Sequence, residues 1–231
     1  MKRDLILLHG ALSDRSQFDA FEKHLNDSFK CHALTLPGHG EKADREGVFS
    51  MTLFSDFVIQ YIRDHHLNSP LIFGYSMGGY VGLKLAGDEP ALISGLITMA
   101  TKLDWNTETA SKEVSQLQPA KMVEKIPAFV ETLKVLHGPG NWEQVVMKTA
   151  ALMGDLGKQP LREEDFSKIS CHVLNMVGDS DRMVDALYSE KVTSLIPCGR
   201  FRLLENTPHP FEKADLLLLT AILKEFVSEL K

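Results

Sequence analysis

Three observations predict an α/β fold built on a mostly parallel sheet with helices on both faces and a helical insertion. From residue 4 to residue 100, apolar runs of strand length alternate with segments of helical spacing. Those runs are continuous rather than alternating, as strands covered on both faces require. Residues 101–168 then show no strand pattern, and strands resume only afterwards. Short connections between the early elements favour parallel neighbours joined by helical crossovers. The organisation expected is therefore a core of residues 1–100 and 169–231, with residues 101–168 inserted.

Taken in order, Asp4 to His9 reads as a buried strand through Leu5-Ile6-Leu7-Leu8. Phe18, Phe21 and Leu25 fall on one helix face. Lys30 to Leu36 is a second strand, ended by Pro37-Gly38-His39-Gly40. Thr52 is placed to cap a helix carrying Leu53, Phe54, Phe57, Val58, Tyr61 and Ile62 on one side. Leu71 to Tyr75 is a strand that runs through a sharp turn into another helix. Ser94 to Ala100 is the next strand. In the insertion, Pro119 opens a helix and Pro127 restarts it. Gly138-Pro139-Gly140 stops it, and Val145, Thr149, Leu152 and Leu156 make a further helical face. Strands follow at Cys171 to Val177 and Arg200 to Leu204, around a helix from about Asp185. A closing helix runs from Phe211 to Leu230, with Pro210 near its start.

The chain has 231 residues, 44% of them hydrophobic and 24% charged, with a net charge of −6. This suits a globular domain with a sizeable core. No Lys/Arg cluster appears, so a nucleic-acid partner is not expected. The first apolar stretch is too short for a signal-peptide core, and no run is long enough to span a bilayer. The three cysteines, Cys31, Cys171 and Cys198, are odd in number and far apart. Neither a disulfide framework nor a zinc site is indicated, and a reducing cytoplasm is the expected compartment. The sequence leaves the oligomeric state open.

The chemistry centres on Gly74-Tyr75-Ser76-Met77-Gly78-Gly79. A serine at a strand-to-helix turn sits in a strained conformation, so its neighbours two positions away must be nearly free of side chain. Its hydroxyl then lies beside the unpaired N–H groups of the helix start. Serine is a poor nucleophile without a base, and the base needs a partner to fix its tautomer. On such a sheet the acid and then the histidine follow the serine in the chain. Of nine histidines, only His209 follows the aspartate-rich turn after the Cys171 strand. Asp179 and Asp181 are both candidates for the acid, and Asp185 reads as a helix cap. An oxyanion needs two preorganised donors. The expected pair is the backbone N–H of Met77 and that of Ala11, in the loop after the first strand. His9 and His39, each preceding a glycine, read as residues that brace loops.

These pieces together resemble the α/β-hydrolase superfamily, in its small bacterial esterase-like branch. The resemblance rests on Leu7-Leu8-His9-Gly10-Ala11, Leu36-Pro37-Gly38-His39-Gly40, the Ser76 turn, Gly178-Asp179-Ser180-Asp181-Arg182-Met183-Val184, and His209-Pro210-Phe211-Glu212. It implies an α/β-hydrolase fold whose residues 101–168 form a helical cap. It selects Asp181 as the acid, three residues after the strand-ending glycine and before a small apolar residue, here Val184. The Gly-Tyr-Ser-x-Gly-Gly turn is similar to that of menaquinone-pathway lyases of the same fold. Those carry arginine where this chain has Tyr80, so a carboxylate-rich substrate is not expected.

The function expected is hydrolysis of a small carboxylic ester through an acyl-enzyme on Ser76, with no metal or cofactor. Tyr75, Trp105, His137 and Trp142 are the candidate substrate-binding residues. A carbon–carbon hydrolase, a lyase or a thioesterase would use the same three side chains. A non-catalytic ligand-binding relative would not need them all.

Overall fold

The computed structural model describes residues 2–40, 43 and 47–230. Six strands, β1 (Arg3–Leu8), β2 (Phe29–Leu34), β3 (Leu71–Tyr75), β4 (Gly95–Met99), β5 (His172–Gly178) and β6 (Gly199–Leu204), form one sheet in the order β2-β1-β3-β4-β5-β6. Every neighbouring pair is parallel. The chain therefore starts in mid-sheet, runs to one edge, and returns past β1 to build the other. The carboxyl ends of β1 and β3 are adjacent, with Leu8 opposite Gly74. That crevice is where ligands bind on open parallel sheets.

Side chains alternate across the sheet, so each strand feeds two cores. Leu5 and Leu7 of β1 meet α1 (Asp19–Leu25) and α10 (Leu216–Glu229), through Phe21, Leu25, Ile222 and Phe226, with Phe18 of the preceding 3₁₀ turn beside them. Ile6 and Leu8 face α2 (Met51–Asp64) and α3 (Met77–Asp88) on the other side, through Phe54, Val58, Ile62 and Val81. The helix α9 (Ala186–Thr193) packs on that same side through Val192.

Between β4 and β5 the chain makes five helices and no strand: α4 (Thr107–Gln116), α5 (Pro119–Lys125), α6 (Pro127–His137), α7 (Trp142–Lys158) and α8 (Glu163–Ser167). Pro119 and Pro127 sit at first helical positions, where a missing N–H leaves no intrahelical bond unmade. Gly138, at φ 85°, ends α6 in a conformation that a side chain would strain. Buried Val130, Leu133, Trp142, Val145 and Leu152 join the core that carries α2 and α3.

Two helix starts depart from the expectation. Ser50, not Thr52, caps α2: its hydroxyl accepts the Leu53 N–H at 3.0 Å. The buried face is accordingly rotated toward Met51, Phe54, Val58, Ile59 and Ile62, and Leu53 is exposed. The closing helix does not begin at Phe211. Phe211–Lys213 make a 3₁₀ turn. Asp215 then accepts the N–H groups of Leu217 and Leu218, at 2.9 and 3.0 Å, and sets the start of α10. A capping side chain directly before the apolar run outweighs a proline further upstream.

Candidate active site

Ser76 stands between β3 and α3 with φ 50° and ψ −114°. Such backbone costs a non-glycine residue on the order of 1–3 kcal/mol and persists only where its surroundings hold it. Here the Ser76 N–H donates to the Met99 carbonyl at 2.8 Å. Its own carbonyl accepts the Gly79 N–H at 3.1 Å and the Thr101 hydroxyl at 3.1 Å. The turn is too tight for side chains on either flank. A Cβ on Gly74 would lie 2.5 Å from Gly79 Cα, and one on Gly78 would collide with the Leu8 carbonyl of β1.

Two loops at the far strands meet beside this turn. Gly178, the last residue of β5, lies so close to Thr207 that a Cβ there would strike the Thr207 carbonyl. The closeness brings the turn after β5 against the loop after β6. Asp181, with no exposed side-chain surface, accepts His209 Nδ1–H at 2.7 Å. Its other oxygen accepts the Met183 and Val184 N–H groups at 2.8 and 3.1 Å. The carboxylate is thus fully engaged, and Nδ1 carries the imidazole's proton, leaving Nε2 as an acceptor. Asp179 sits in the exposed part of the turn, where Ser180 donates to it at 2.9 Å. Asp185 caps α9 through the Tyr188 N–H.

The His209 loop is tied to the serine through the intervening residue. Tyr75 donates its hydroxyl to the His209 carbonyl at 2.8 Å, and the two ring centroids are 5.7 Å apart. Burial pushes the Tyr75 hydroxyl pKa well up, so it stays a donor. Phe211 anchors the loop from below, against Phe18, Phe21, Phe73 and Tyr75. Among the described residues no hydrogen bond joins the Ser76 hydroxyl to His209 directly. Catalytic contacts in unliganded sites are often long and tighten when substrate binds.

The loop after β1 is braced from three directions. Gly10 gives its N–H to Gln17 at 2.9 Å. His9 Nδ1–H donates to the Gly10 carbonyl at 2.8 Å, while its Nε2 accepts the Leu36 N–H at 3.0 Å. That carbonyl and the Ala11 N–H belong to one trans peptide and point opposite ways, so holding the first aims the second. From the helical insertion, His137 Nδ1 accepts the Gly40 N–H at 2.9 Å and Nε2–H donates to the Leu12 carbonyl at 3.1 Å. His39 lies between these two rings, its centroid 5.0 Å from that of His9 and 6.0 Å from that of His137. Burial lowers the pKa of all three: His9 to about 4, His39 well below its ordinary range, and His137 by a smaller step. Burial thus favours the neutral rings: His9 and His137 brace the loops, and His39, bonded within its own loop to the Pro37 carbonyl at 3.3 Å, packs between them.

A cavity of about 40 Å³ opens at Ser76. The core supplies Ala11, Met51, Met77 and Tyr80 beside the serine. The insertion supplies Lys102, Trp105, Thr149, Leu152, Met153 and Leu156, so α7 forms much of its wall. Of the four substrate-binding candidates, Trp105 lines this cavity. Tyr75 lies under the His209 loop, His137 braces two loops, and Trp142 is buried in the core of the insertion. Ala11 and Met77 both face the space next to Ser76. As the first residue of α3, Met77 has an N–H without an acceptor inside the helix.

Residues 5–218 match the model of the alpha/beta hydrolase family. The chain belongs to this family. Curated relatives of this alpha/beta hydrolase include pimeloyl-[acyl-carrier protein] methyl ester esterases. That of Edwardsiella ictaluri is 25% identical, covering 91% of this chain and 88% of its own. That of Vibrio cholerae is 22% identical, over 90% and 88%. Solved structures share the fold: a thermophilic esterase from Thermogutta terrifontis aligns with a TM-score of 0.80 at 20% identity, covering 100% of this chain and 91% of that one. MenH from S. aureus aligns with a TM-score of 0.79 at 21% identity, over 99% and 94%.

Several site residues of this alpha/beta hydrolase carry no local signal in the sequence. Gln17, Thr101, Met51 and Thr149 stand where ordinary helix and loop residues stand. Their roles arise from contacts between distant segments. Among the described residues no group of histidine, cysteine and acidic side chains is arranged to hold a metal ion, and no helix is long and apolar enough to cross a membrane.

Proposed function

We propose that this protein is a serine hydrolase that cleaves a small carboxylic ester through an acyl-enzyme on Ser76. Ser76 Oγ attacks the ester carbonyl and its proton passes to Nε2 of His209. Asp181 keeps the imidazole in the required tautomer and stabilises the imidazolium that forms. The N–H groups of Ala11 and Met77 hold the oxyanion, each worth about a hundredfold or more in rate. His209 then protonates the leaving alcohol, and water activated by the same imidazole releases the acid. No metal or cofactor enters these steps.

One observation carries this reading: a fully buried carboxylate bonded to Nδ1 of a loop histidine whose backbone is tied to the residue before a strained serine. The names of the curated relatives make a methyl ester the first substrate to try. A cavity of about 40 Å³ at Ser76 suits a small alkoxy or acyl group. Residues 101–168 act as a cap, with α7 over the serine. Three free cysteines fit a reducing, cytoplasmic setting.

The test is labelling with a fluorophosphonate, together with hydrolysis of methyl esters and acyl thioesters. The wild type should be labelled, Ser76→Ala should not, and methyl esters should turn over. Equal labelling of both forms would remove Ser76 as nucleophile. Turnover of thioesters alone would move the reading to a thioesterase on the same residues.

A further inference from the structure

Two residues that line the cavity at Ser76 carry buried polar atoms with no hydrogen-bond partner among the described residues. Thr149 Oγ1 and Trp105 Nε1 are shut off from solvent and have no hydrogen-bond partner among the described residues. Both residues line the cavity with Ser76. Buried polar atoms are nearly always paired, and each exception asks for a reason.

For Thr149 the usual solution lies close by. A helical threonine normally turns its hydroxyl back to the carbonyl four residues earlier. Thr132, Thr193 and Thr220 of this chain do so, at 3.3, 2.6 and 2.7 Å. Thr149, in the middle of α7 and with no exposed surface, does not. Trp105 comes from a different segment, before α4, and its indole N–H can only donate. Apart from Ser76, Tyr80 and Lys102, the rest of the lining is apolar: Ala11, Met51, Met77, Leu152, Met153 and Leu156. Tyr80 is already engaged, its hydroxyl accepting the Leu161 N–H at 2.7 Å.

Building on the reading of Ser76 as the reacting serine, we propose that Trp105 and Thr149 form a recognition site for a second oxygen of the substrate. That oxygen is a hydrogen-bond acceptor, set a few bonds from the scissile carbonyl. The site favours a neutral carbonyl oxygen over a carboxylate. The nearby cation, Lys102, is spoken for: its Nζ lies 3.1 Å from Asp104 and 3.8 Å from Glu113. These two carboxylates, outside the lining, offset the charge that Lys102 brings to it, which leaves little to attract an anion. The preferred substrate is thus an oxo-substituted acyl ester, with the keto oxygen taking the indole N–H and the threonine hydroxyl.

A site built to pair with an oxygen discriminates against the analogue lacking it, because its own groups then stay unpaired. The experiment compares methyl acetoacetate and methyl levulinate with methyl butanoate and methyl pentanoate, and adds methyl hydrogen succinate as the anionic arm. Each kcat/KM is divided by that ester's rate with hydroxide, to remove intrinsic reactivity. For the wild type, at least one keto ester should exceed its hydrocarbon partner by about tenfold to a hundredfold, and the succinate should not. In Thr149→Val and Trp105→Phe that ratio should collapse toward one, while Thr149→Ser should keep most of it. Thr149→Val is isosteric, so a fold-based loss would strike both ester classes and leave the ratio intact.

A wild-type ratio near one for both keto esters, or a ratio that survives both substitutions, overturns the proposal. A preference for the succinate overturns its neutral-acceptor part. Failure of Ser76 labelling or of all ester turnover would instead overturn the hydrolase reading, so the two failures are distinguishable.

Discussion

The candidate site residues sit where the backbone gives them little choice. Ser76 occupies a conformation that only its surroundings make tolerable, and Gly78 has no room for even a methyl group beside the Leu8 carbonyl. Gly78→Ala should therefore lower stability by about 2–4 kcal/mol, read from the urea midpoint, and should reduce fluorophosphonate labelling as the turn shifts. Asp181 is bound by three donors, one of them the His209 imidazole. Asp181→Asn keeps the shape but reverses one hydrogen-bonding preference, so the imidazole adopts the wrong tautomer. The expected loss in kcat is on the order of 10⁴-fold with KM little changed, measured on whichever methyl ester turns over best.

At the scale of elements, the insertion is more than a roof. Through α6 it reaches back to the loops after β1 and β2, by the two bonds of His137. His137→Ala leaves the Gly40 N–H and Leu12 carbonyl unpaired and frees the segment beside Ala11. It should lower kcat about tenfold or more and change KM less, whereas His137→Gln, which can offer one acceptor and one donor, should recover part of the loss. Through α7 the insertion forms the cavity wall. A second cavity of about 480 Å³ shares Met51, Tyr80, Leu152 and Leu156 with the small one at Ser76. Met51, unbranched and adaptable, is one of the four residues that line both. Met51→Ala should shift the preferred acyl chain toward longer esters in a kcat/KM series, and an unchanged series would show that the wall lies elsewhere.

How much of this could be read from the chain follows from how local each cause is. Strands β1 and β3 declare themselves as continuous apolar runs, β5 as an apolar run broken by Asn175, and the Ser76 turn by its glycines. His209 emerges from chain order alone, since it is the histidine that follows the turn after β5. The start of α2 is misread because Ser50 and Thr52 are equally able caps, and tertiary packing of Met51 decides between them. The start of α10 is misread because Asp215 competes with Pro210. His137, Trp105 and Thr149 look alike in sequence, as polar or aromatic residues of a helical segment. Only packing sends the first to a brace and the other two to the cavity. The contact from His137 to Leu12 spans 125 positions, which no local pattern reports.

For the molecule as a whole, three neutral histidines clustered at the carboxyl ends of β1 and β2 have a consequence for stability. Burial holds His9 near 4 instead of 6.5, and lowers His39 and His137 in the same direction. Unfolding frees these rings to take protons. Between about pH 6.5 and pH 4 the unfolded chain binds more protons than the folded one, so stability rises with pH there. It is fully present above the ordinary histidine range and is lost as pH falls toward 4. The slope should approach about 1.4 kcal/mol per pH unit for each histidine that stays neutral. Urea midpoints across this window would measure it, and His9→Asn should flatten the curve. A midpoint that does not fall on acidification would mean the cluster is charged in the folded protein.

In the reaction proposed, the carbonyl carbon of the ester bonds transiently to Ser76 Oγ. Rapid quenching of the protein with an excess of a reactive nitrophenyl ester, followed by peptide mass spectrometry, tests it directly. A burst of nitrophenol close to one equivalent per chain and an acyl mass on the peptide containing Ser76 are expected, both absent in Ser76→Ala. Turnover with no burst, no adduct at Ser76, and full activity in Ser76→Ala would contradict it.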